Sequence, residues 1–236
     1  CAVWPAMLMS AGLPPPSRVF AHGFFTIDGQ KISKTLGNVI DPIEISGRFG
    51  NDTLRYGLLR EMHFGEDGDF SVARLEERYR TELAGALGNL VYRVLSMTEK
   101  YTDGKIPERS GAALANYLKY DAGMEQFAFH DCFEAVWALV YEANRFVDEA
   151  APWKLAKLGE IERLHRTLYE LLETLRHIGR MLLPLLPQSG ERILEQLGIA
   201  GDERARTWED GKKWGLLKPG GKINKSTPLF PQLVSK

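Results

Sequence analysis

Cysteine and long apolar runs are scarce in this sequence. Its 236 residues include two cysteines, Cys1 and Cys132, too few for a disulfide scaffold or a cysteine-rich zinc site. The five histidines show no paired spacing typical of metal ligands, so we predict no metal site. No apolar run approaches the ~18–20 residues that span a bilayer. We therefore expect a cytoplasmic protein that makes no membrane contact.

An excess of charge of one sign is also absent. The 30 Lys plus Arg nearly balance the 31 Asp plus Glu, for a formal net charge of −1. This balance does not exclude a nucleic-acid partner, because binding depends on where charge lies rather than on its sum. With 44% hydrophobic and 26% charged residues, the composition does exclude a disordered chain. The length suits one large domain or two modest ones.

Residues 1–70 have a mixed α/β pattern and are too short to complete a sheet. We predict a short buried helix over residues 1–13 and a buried strand over Arg18–Ile27. Asp28-Gly29 predicts a turn, and residues 61–69 an acidic loop. This segment is expected to be one part of a larger sheet domain.

Residues 71–236 have a mainly helical pattern. Apolar residues at steps of three and four predict one long amphipathic helix from Ser71 to about Tyr101. Shorter links then separate helices over about 127–149, 160–186 and 191–197, which predicts an up-down bundle. The lysine-rich stretch from Gly211 is expected to be extended. The fold class predicted for the whole chain is mainly α, with its domain boundary at residue 70.

A loop with two lysines carries the strongest chemical signal. Lys31-Ile32-Ser33-Lys34-Thr35 places two ammonium groups three residues apart with hydroxyls beside them, flanked by Gly29 and Gly37. Such a loop suits a polyphosphate, because it offsets the charge that builds up as pyrophosphate leaves. Taken alone, the motif is far more often a solvated basic turn, because short motifs misfire often.

The context of this loop resembles the class I aminoacyl-tRNA synthetases. The family's Lys-Met-Ser-Lys-Ser loop is matched with Ile32 in place of Met and Thr35 in place of the last Ser. The opening residues Trp4-Pro5-Ala6-Met7-Leu8 resemble methionyl-tRNA synthetases specifically. The other matching runs are His22-Gly23-Phe24, Leu36-Gly37-Asn38-Val39-Ile40-Asp41-Pro42 and Asp52-Thr53-Leu54-Arg55-Tyr56.

The resemblance implies roles for the loop and its neighbours. Lys34, with Lys31, is expected to stabilise the transition state in which the carboxylate of methionine attacks the α-phosphate of ATP and magnesium pyrophosphate leaves. Trp4 is expected to line the methionine pocket. Residues 1–70 would then be the C-terminal remnant of a Rossmann-type catalytic domain. The expected ATP-binding residues are Lys31, Ser33, Lys34, Thr35, His22 and Gly23.

The bundle carries a second candidate site. Asn89 and Arg93 are four residues apart and share a helix face, and both residue types read base edges and phosphates. Trp153 follows Pro152 at a helix boundary, where an indole ring can stack on a base. A solvated surface pair and a packing tryptophan are the simpler interpretations of these residues alone. The family pattern implies instead that Asn89, Arg93 and Trp153 recognise the CAU anticodon of tRNA-Met.

One family motif is missing from the 236 residues. They contain no His-x-Gly-His, which in this family binds ATP. We therefore expect a methionine-tRNA ligase of which this chain supplies the lysine loop and the anticodon-binding bundle, acting with an N-terminal half of the catalytic domain. The isolated chain is expected to be inactive. The alternatives are a non-catalytic tRNA-binding module that retains the loop as a relic, and a different class I synthetase.

Overall fold

The structure is a computed structural model that describes residues 2–33, 37–63, 65–111, 117–231 and 233. Its mainly α character confirms the predicted fold class. Within the described residues, no helix has the length and apolar character needed to cross a bilayer. The helices are α1 (Val3–Ser10), α2 (Pro42–Phe49), α3 (Asn51–Glu61), α4 (Val72–Arg78), α5 (Asn89–Thr102), α6 (Leu118–Gln126), α7 (Phe129–Ala150), α8 (Pro152–Leu158), α9 (Ile161–Leu182), α10 (Pro187–Gln196), α11 (Ala200–Ala205) and α12 (Trp208–Gly211).

A small sheet stands at the start of the fold. Strand β1 (Phe25–Ile27) pairs antiparallel with β2 (Gln30–Lys31) and parallel with β3 (Gly68–Phe70), in the order β2-β1-β3. The predicted strand over Arg18–Ile27 is therefore correct only in its last three residues, which are the ones that find a partner. The predicted acidic loop over 61–69 is wrong at both ends, because it includes the end of α3 and most of β3.

Helix α1 was expected to be buried, and that expectation is wrong. The helix itself forms within the predicted range, but none of its residues is buried. Trp4 is 61% exposed, and Met9 is similarly open. Apolar side chains surround the whole helix, and each of them is at least partly exposed. This end of the molecule therefore presents a large apolar surface.

The long helix predicted from Ser71 to Tyr101 is continuous but not uniform. Between α4 and α5 lies a ten-residue π-helical segment, Tyr79–Gly88, in which hydrogen bonds reach back five residues. The N–H of Asn89, for example, donates to the carbonyl of Ala84. At Gly85 an added Cβ would lie 2.7 Å from the Arg80 carbonyl oxygen. Glycine at this position therefore permits the wider winding.

The bundle packs around α5, α7 and α9. The predicted second, third and fourth helices appear as α7, α9 and α10, with ends shifted by a few residues. Helix α6 was not predicted. Tyr56 of α3 is fully buried and stacks on Trp137 of α7 at 4.7 Å between ring centroids. A single apolar cluster thus runs from Ile45 and Phe49 of α2 into the bundle. The domain boundary at residue 70 stays a prediction.

The extended C-terminal stretch is fastened to α9 by a buried carboxylate. Glu173 is fully buried and accepts hydrogen bonds from the backbone N–H groups of Gly215, Leu216 and Leu217, at 2.9, 3.0 and 3.1 Å. Its charge is balanced by the buried guanidinium of Arg176 at 2.8 Å. Both partners of this ion pair have their hydrogen-bonding capacity used, which is the condition for a tolerable buried pair.

His177 lies beside this pair and is neutral. Burial, together with Arg176 and Arg180, lowers the pKa of His177 to about 3. Arg176 donates to its Nε2 at 2.9 Å, so the ring proton sits on Nδ1, 2.6 Å from the Tyr117 hydroxyl. The indole of Trp214 stacks on the imidazole at 5.8 Å. A neutral ring fits here, since a charged one would face two arginines.

Two glycine substitutions test the winding of the π-helical segment. Alanine normally stabilises a helix over glycine by about 1 kcal/mol, and Gly47→Ala in α2, where nothing lies within 4 Å of the new Cβ, is expected to do so. Gly85→Ala is expected to lower the free energy of unfolding by about 1–3 kcal/mol, because its Cβ meets the Arg80 carbonyl. Urea denaturation measures both. Equal stabilisation by the two variants would contradict the π-helical winding.

The buried carboxylate gives a second test. Glu173→Gln is expected to cost about 3–5 kcal/mol in the free energy of unfolding, because Arg176 then keeps only the longer ion pair with Glu203, at 3.4 Å, and three backbone N–H groups face an uncharged side chain. The matched control is Glu162→Gln, an exposed position on the same helix, which is expected to stay within about 0.5 kcal/mol of the parent. Thermal and urea unfolding monitored by circular dichroism measures the free energy of unfolding of both variants. Similar losses in both variants would refute the role assigned to Glu173.

Candidate functional site

The first lysine of the loop lies at the end of a short hairpin. Asp28 and Gly29 both have positive φ, 49° and 74°, as a type I′ turn requires, and they join β1 to β2. The predicted turn is thus confirmed. We call residues 25–33 the lysine hairpin. Lys31 ends β2 and is exposed, whereas Lys34 and Thr35 lie outside the described residues.

One amide side chain closes the neck of the loop. Asn38 accepts a hydrogen bond from the backbone N–H of Ser33 at 2.8 Å and donates to the carbonyl of Lys31 at 3.1 Å. Beyond it, Asp41 caps α2 by accepting from the N–H of Ile43 at 2.8 Å, with Pro42 at the first helical position. Both ends of the loop are therefore anchored. Sequence reasoning assigned no role to Asn38 itself.

His22 and Gly23 lie just before β1. The His22 ring bonds locally, through Nδ1, to the carbonyl of Gly23 at 2.7 Å. An added Cβ at Gly23 would stand 2.1 Å from the carbonyl oxygen of Glu66, so a side chain is excluded here by packing. The next residue, Phe24, donates its N–H to Asp67 at 2.7 Å. The structure gives Gly23 a packing role, and its predicted contact with ATP stays a prediction.

The predicted methionine-binding residue is not enclosed. Trp4 lies on α1 with most of its ring exposed, so the described residues form no pocket around it. A cavity of about 1100 Å³ exists elsewhere, between α2, α10 and the C-terminal stretch. Its lining contains none of the predicted site residues. Cavity volume therefore does not mark the candidate site in this part of the molecule.

The bundle residues predicted to bind the anticodon lie on α5 and α8, two helices that contact each other. Asn89 begins α5 and is exposed, and Arg93 follows one turn later. The guanidinium of Arg93 pairs with Asp148, in the last turn of α7, at 2.5 Å. Trp153 follows on α8, five residues beyond Asp148, and is 38% exposed. An amide, a guanidinium and an indole ring are thus available on neighbouring helices.

The backbone explains why Trp153 points outward. Ala151 adopts a left-handed conformation with φ 43°, which ends α7, and Pro152 then occupies the first position of α8. Pro152 is buried, while Trp153 and Lys154 stay exposed. The break between two helices therefore presents the indole ring at the surface. Asp148, which holds Arg93, is a residue that sequence reasoning missed.

No group of three His, Cys, Asp or Glu side chains suited to a metal ion occurs among the residues that the structure describes. The lysine hairpin offers ammonium and hydroxyl groups, which suit anionic ligands. In the bundle, Asn89, Arg93 and Trp153 offer polar side chains and a stacking ring, which suit bases and phosphates. The two sets of residues lie on separate elements.

Comparison with known proteins finds consistent similarity to one family. Residues 1–95 match the family described as tRNA synthetases class I (M). Methionine–tRNA ligase from Thermotoga maritima is 38% identical, and the match covers 99% of this chain and 38% of the relative's own length. Methionine–tRNA ligase from Caldanaerobacter subterraneus is 43% identical, with 98% of this chain and 38% of the relative covered. The chain therefore spans less than half the length of these curated relatives.

Solved structures agree. Mycobacterium tuberculosis methionyl-tRNA synthetase in complex with methionyl-adenylate is similar with a TM-score of 0.82 at 36% identity, over 97% of this chain and 47% of that one. The free form of that synthetase gives the same TM-score at 33% identity, and the match covers 99% of this chain and 47% of that one. The predicted resemblance is confirmed: this chain is similar to the methionyl-tRNA synthetases of class I, and it matches less than half the length of each relative.

Proposed function

We propose that this chain supplies the lysine loop and the anticodon-recognising bundle of a methionine–tRNA ligase, which uses ATP to attach methionine to tRNA through methionyl-adenylate. The observation that carries this proposal is the match over nearly the whole chain to relatives named methionine–tRNA ligase. A relative of the same fold has been solved with methionyl-adenylate. The anchored lysine hairpin is consistent with a role in adenylate formation, and the exposed Asn89 and Trp153, with Arg93, are consistent with anticodon recognition.

In the proposed adenylation step, the lysine loop acts on the phosphates. The carboxylate of methionine attacks the α-phosphate of ATP, and pyrophosphate leaves with the magnesium ion that ATP brings as part of the substrate. The ammonium groups of Lys31 and Lys34 offset the negative charge that grows on the leaving group. Ser33 and Thr35 hold the loop beside the phosphates, with His22 and Gly23 nearer to the adenosine. Trp4 forms one wall for the methionine thioether.

The exposed apolar surface is consistent with a larger catalytic domain. Trp4, Met7 and Met9 of α1 are all more than half exposed, and Phe24 beside β1 is 83% exposed. Apolar patches of this kind mark interaction sites. We propose that the N-terminal half of the same catalytic domain covers this surface and brings the His-x-Gly-His motif. A polypeptide of these 236 residues alone then makes no methionyl-adenylate.

Pyrophosphate exchange tests the catalytic proposal. The 236-residue chain alone is expected to show none, and addition of the N-terminal half of a methionine–tRNA ligase is expected to restore it. Lys34→Ala is expected to lower the restored rate about 10²–10³-fold, as loss of one group that stabilises transition-state charge does. The matched control, Lys157→Ala on α8, is expected to leave the rate unchanged. Exchange by the isolated chain, or full activity of Lys34→Ala, would refute the proposal.

If a well-folded pair of halves restored no exchange while the chain still bound tRNA, the non-catalytic binding module would be the better description. That outcome would leave the bundle assignment intact and remove the role given to the lysine loop.

Binding of an RNA anticodon stem-loop tests the bundle. Trp153→Ala and Arg93→Ala are each expected to weaken binding of a CAU loop about 5- to 100-fold, which corresponds to ~1–3 kcal/mol per stacked base. Leu158→Ala, at an exposed position on the same helix as Trp153, and Arg163→Ala, an exposed arginine of α9, serve as matched controls. Fluorescence anisotropy with labelled CAU and altered loops gives both affinity and selectivity. Equal losses for both loops would favour a different class I synthetase.

A further inference from the structure

A continuous series of ion pairs runs from the small sheet to the π-helical segment. Asp69 pairs with Arg74 at 3.3 Å, Arg74 with Glu61 at 3.1 Å, Glu61 with Arg78 at 2.6 Å, and Arg78 with Glu82 at 2.9 Å. We call these five residues the charged ladder. It connects β3, α4, the end of α3 and the π-helical segment. The distances are short at every step, so the ladder forms one connected network rather than separate surface pairs.

One end of the ladder holds the lysine hairpin. Asp69 lies opposite Thr26 in the parallel pairing of β3 with β1. Its Oδ1 accepts from the Thr26 hydroxyl at 2.7 Å and from the backbone N–H of Gly29, in the turn, at 2.7 Å. The hydrogen bond from Gly29 is the main reason that the pKa of Asp69 lies below its ordinary value. One carboxylate thus binds both a strand and the turn of the hairpin.

The other end reaches the core. Glu82 accepts from the hydroxyl of Tyr56, whose ring is fully buried between Phe133 and Trp137 of α7. Arg78, Glu61 and Glu82 are less exposed than Asp69 and Arg74, so the ladder becomes less screened by solvent towards the bundle. Glu82 lies in the helical segment that leads directly into α5. The fixed end of the ladder is therefore the helix that carries Asn89 and Arg93.

The hairpin needs such support. Its two strands have three and two residues, and β3 adds only three more. Sheets this small are marginal, so their hydrogen bonds alone define the hairpin direction weakly. Asp69 adds a charge-assisted attachment at the turn that precedes Lys31. The orientation of the Asp69 carboxylate is set by its ion pair with Arg74. Arg74 is in turn paired with Glu61, at the end of α3.

We propose that Asp69 is a positioning residue for Lys31, and that the charged ladder fixes the lysine hairpin relative to the helix that bears Asn89 and Arg93. This inference rests on the proposed function, because it acts through Lys31. The role differs from that of a catalytic residue: Asp69 binds the hairpin and touches no substrate.

The substitution Asp69→Asn separates the charge from the local hydrogen bonds. An amide oxygen can still accept from Thr26 and Gly29, but the charge facing Arg74 is lost. In the enzyme restored with the N-terminal half, kcat for pyrophosphate exchange is expected to fall about tenfold with an unchanged KM for methionine, since small displacements of a catalytic group slow the step itself. In a Lys31→Ala background, Asp69→Asn is expected to add no further loss.

Two controls match this variant. Asp67→Asn alters a neighbouring carboxylate that binds Phe24 outside the ladder. Arg48→Ala breaks an exposed ion pair with Glu76. Glu76 lies on the same helix as Arg74, but this ion pair is not connected to the hairpin. Both are expected to keep the parent kcat. Arg74→Gln, which removes the same pair from the other side, is expected to reproduce the loss seen with Asp69→Asn.

Hydrogen exchange of the 236-residue chain tests the ladder without any activity. Glu82→Gln, at the far end, is expected to speed amide exchange in residues 25–31 several-fold, while α9 stays as protected as in the parent and so reports an intact bundle. Arg48→Ala is expected to change neither region. An unchanged hairpin in Glu82→Gln would overturn the ladder as the support of the hairpin.

The kinetic outcomes distinguish the inference from the function on which it rests. If Lys31→Ala and Lys34→Ala leave exchange unchanged, the proposed function fails and the inference fails with it. If the lysine variants lower kcat and Asp69→Asn does not, only the inference is overturned. An additive loss in the Asp69→Asn, Lys31→Ala double variant would also overturn it, because Asp69 would then act by a route other than the lysine.

Discussion

The continuous helix from Val72 to Thr102 is the element on which the rest of the structure depends. Leu83, Leu87 and Leu90 are fully buried along it, and helices from both halves of the chain pack against them. Its first turns meet the small sheet, and its later turns carry Asn89 and Arg93. Because one unbroken helix spans both regions, their spacing follows from helix geometry rather than from a flexible link. The π-helical segment in its middle adjusts which side chains face the core at each end.

Local chemistry explains the features that sequence reasoning predicted correctly. The predicted turn forms at Asp28-Gly29, and two helix ends show signals of the same local kind. Asp41 followed by Pro42 begins α2, and Asp103, in a left-handed conformation before Gly104, ends α5. Each signal acts within a few residues, so it can be identified without knowledge of the fold. The mainly helical character of the bundle was equally accessible, because apolar spacing at three and four residues is a local property.

The features that were missed depend on distant partners. Strand β3 is three residues long, contains Gly68 and Asp69, and exists because β1, more than forty residues earlier, pairs with it. The exposure of α1 could not be predicted from its apolar sequence, since burial depends on what packs against a helix. The π-helical winding is signalled weakly by Gly85, but a glycine within a helical pattern has several explanations.

The candidate site shows the same division. Lysine, tryptophan and asparagine positions were identified through a family motif, which is a property of sequence alone. The residues that hold them were not. Asn38 lies inside the matching run, yet its role appears only when its two hydrogen bonds to Ser33 and Lys31 are seen. Asp69 and Asp148 act across 43 and 55 residues on Thr26 and Arg93, separations at which one sequence carries no signal.

The near-zero net charge acquires a physical meaning from these contacts. Arg93 is paired with Asp148, and Arg74 and Arg78 belong to the charged ladder, so these cations do not form an open basic surface. Asp148 is mostly exposed, and an ion pair of that kind contributes about 0–1 kcal/mol. In the proposed function, an RNA group can therefore replace the Asp148 carboxylate at Arg93 with little loss in the stability of the protein. Under the same proposal, selectivity comes from individual side chains such as Trp153, since the overall charge attracts every RNA equally weakly.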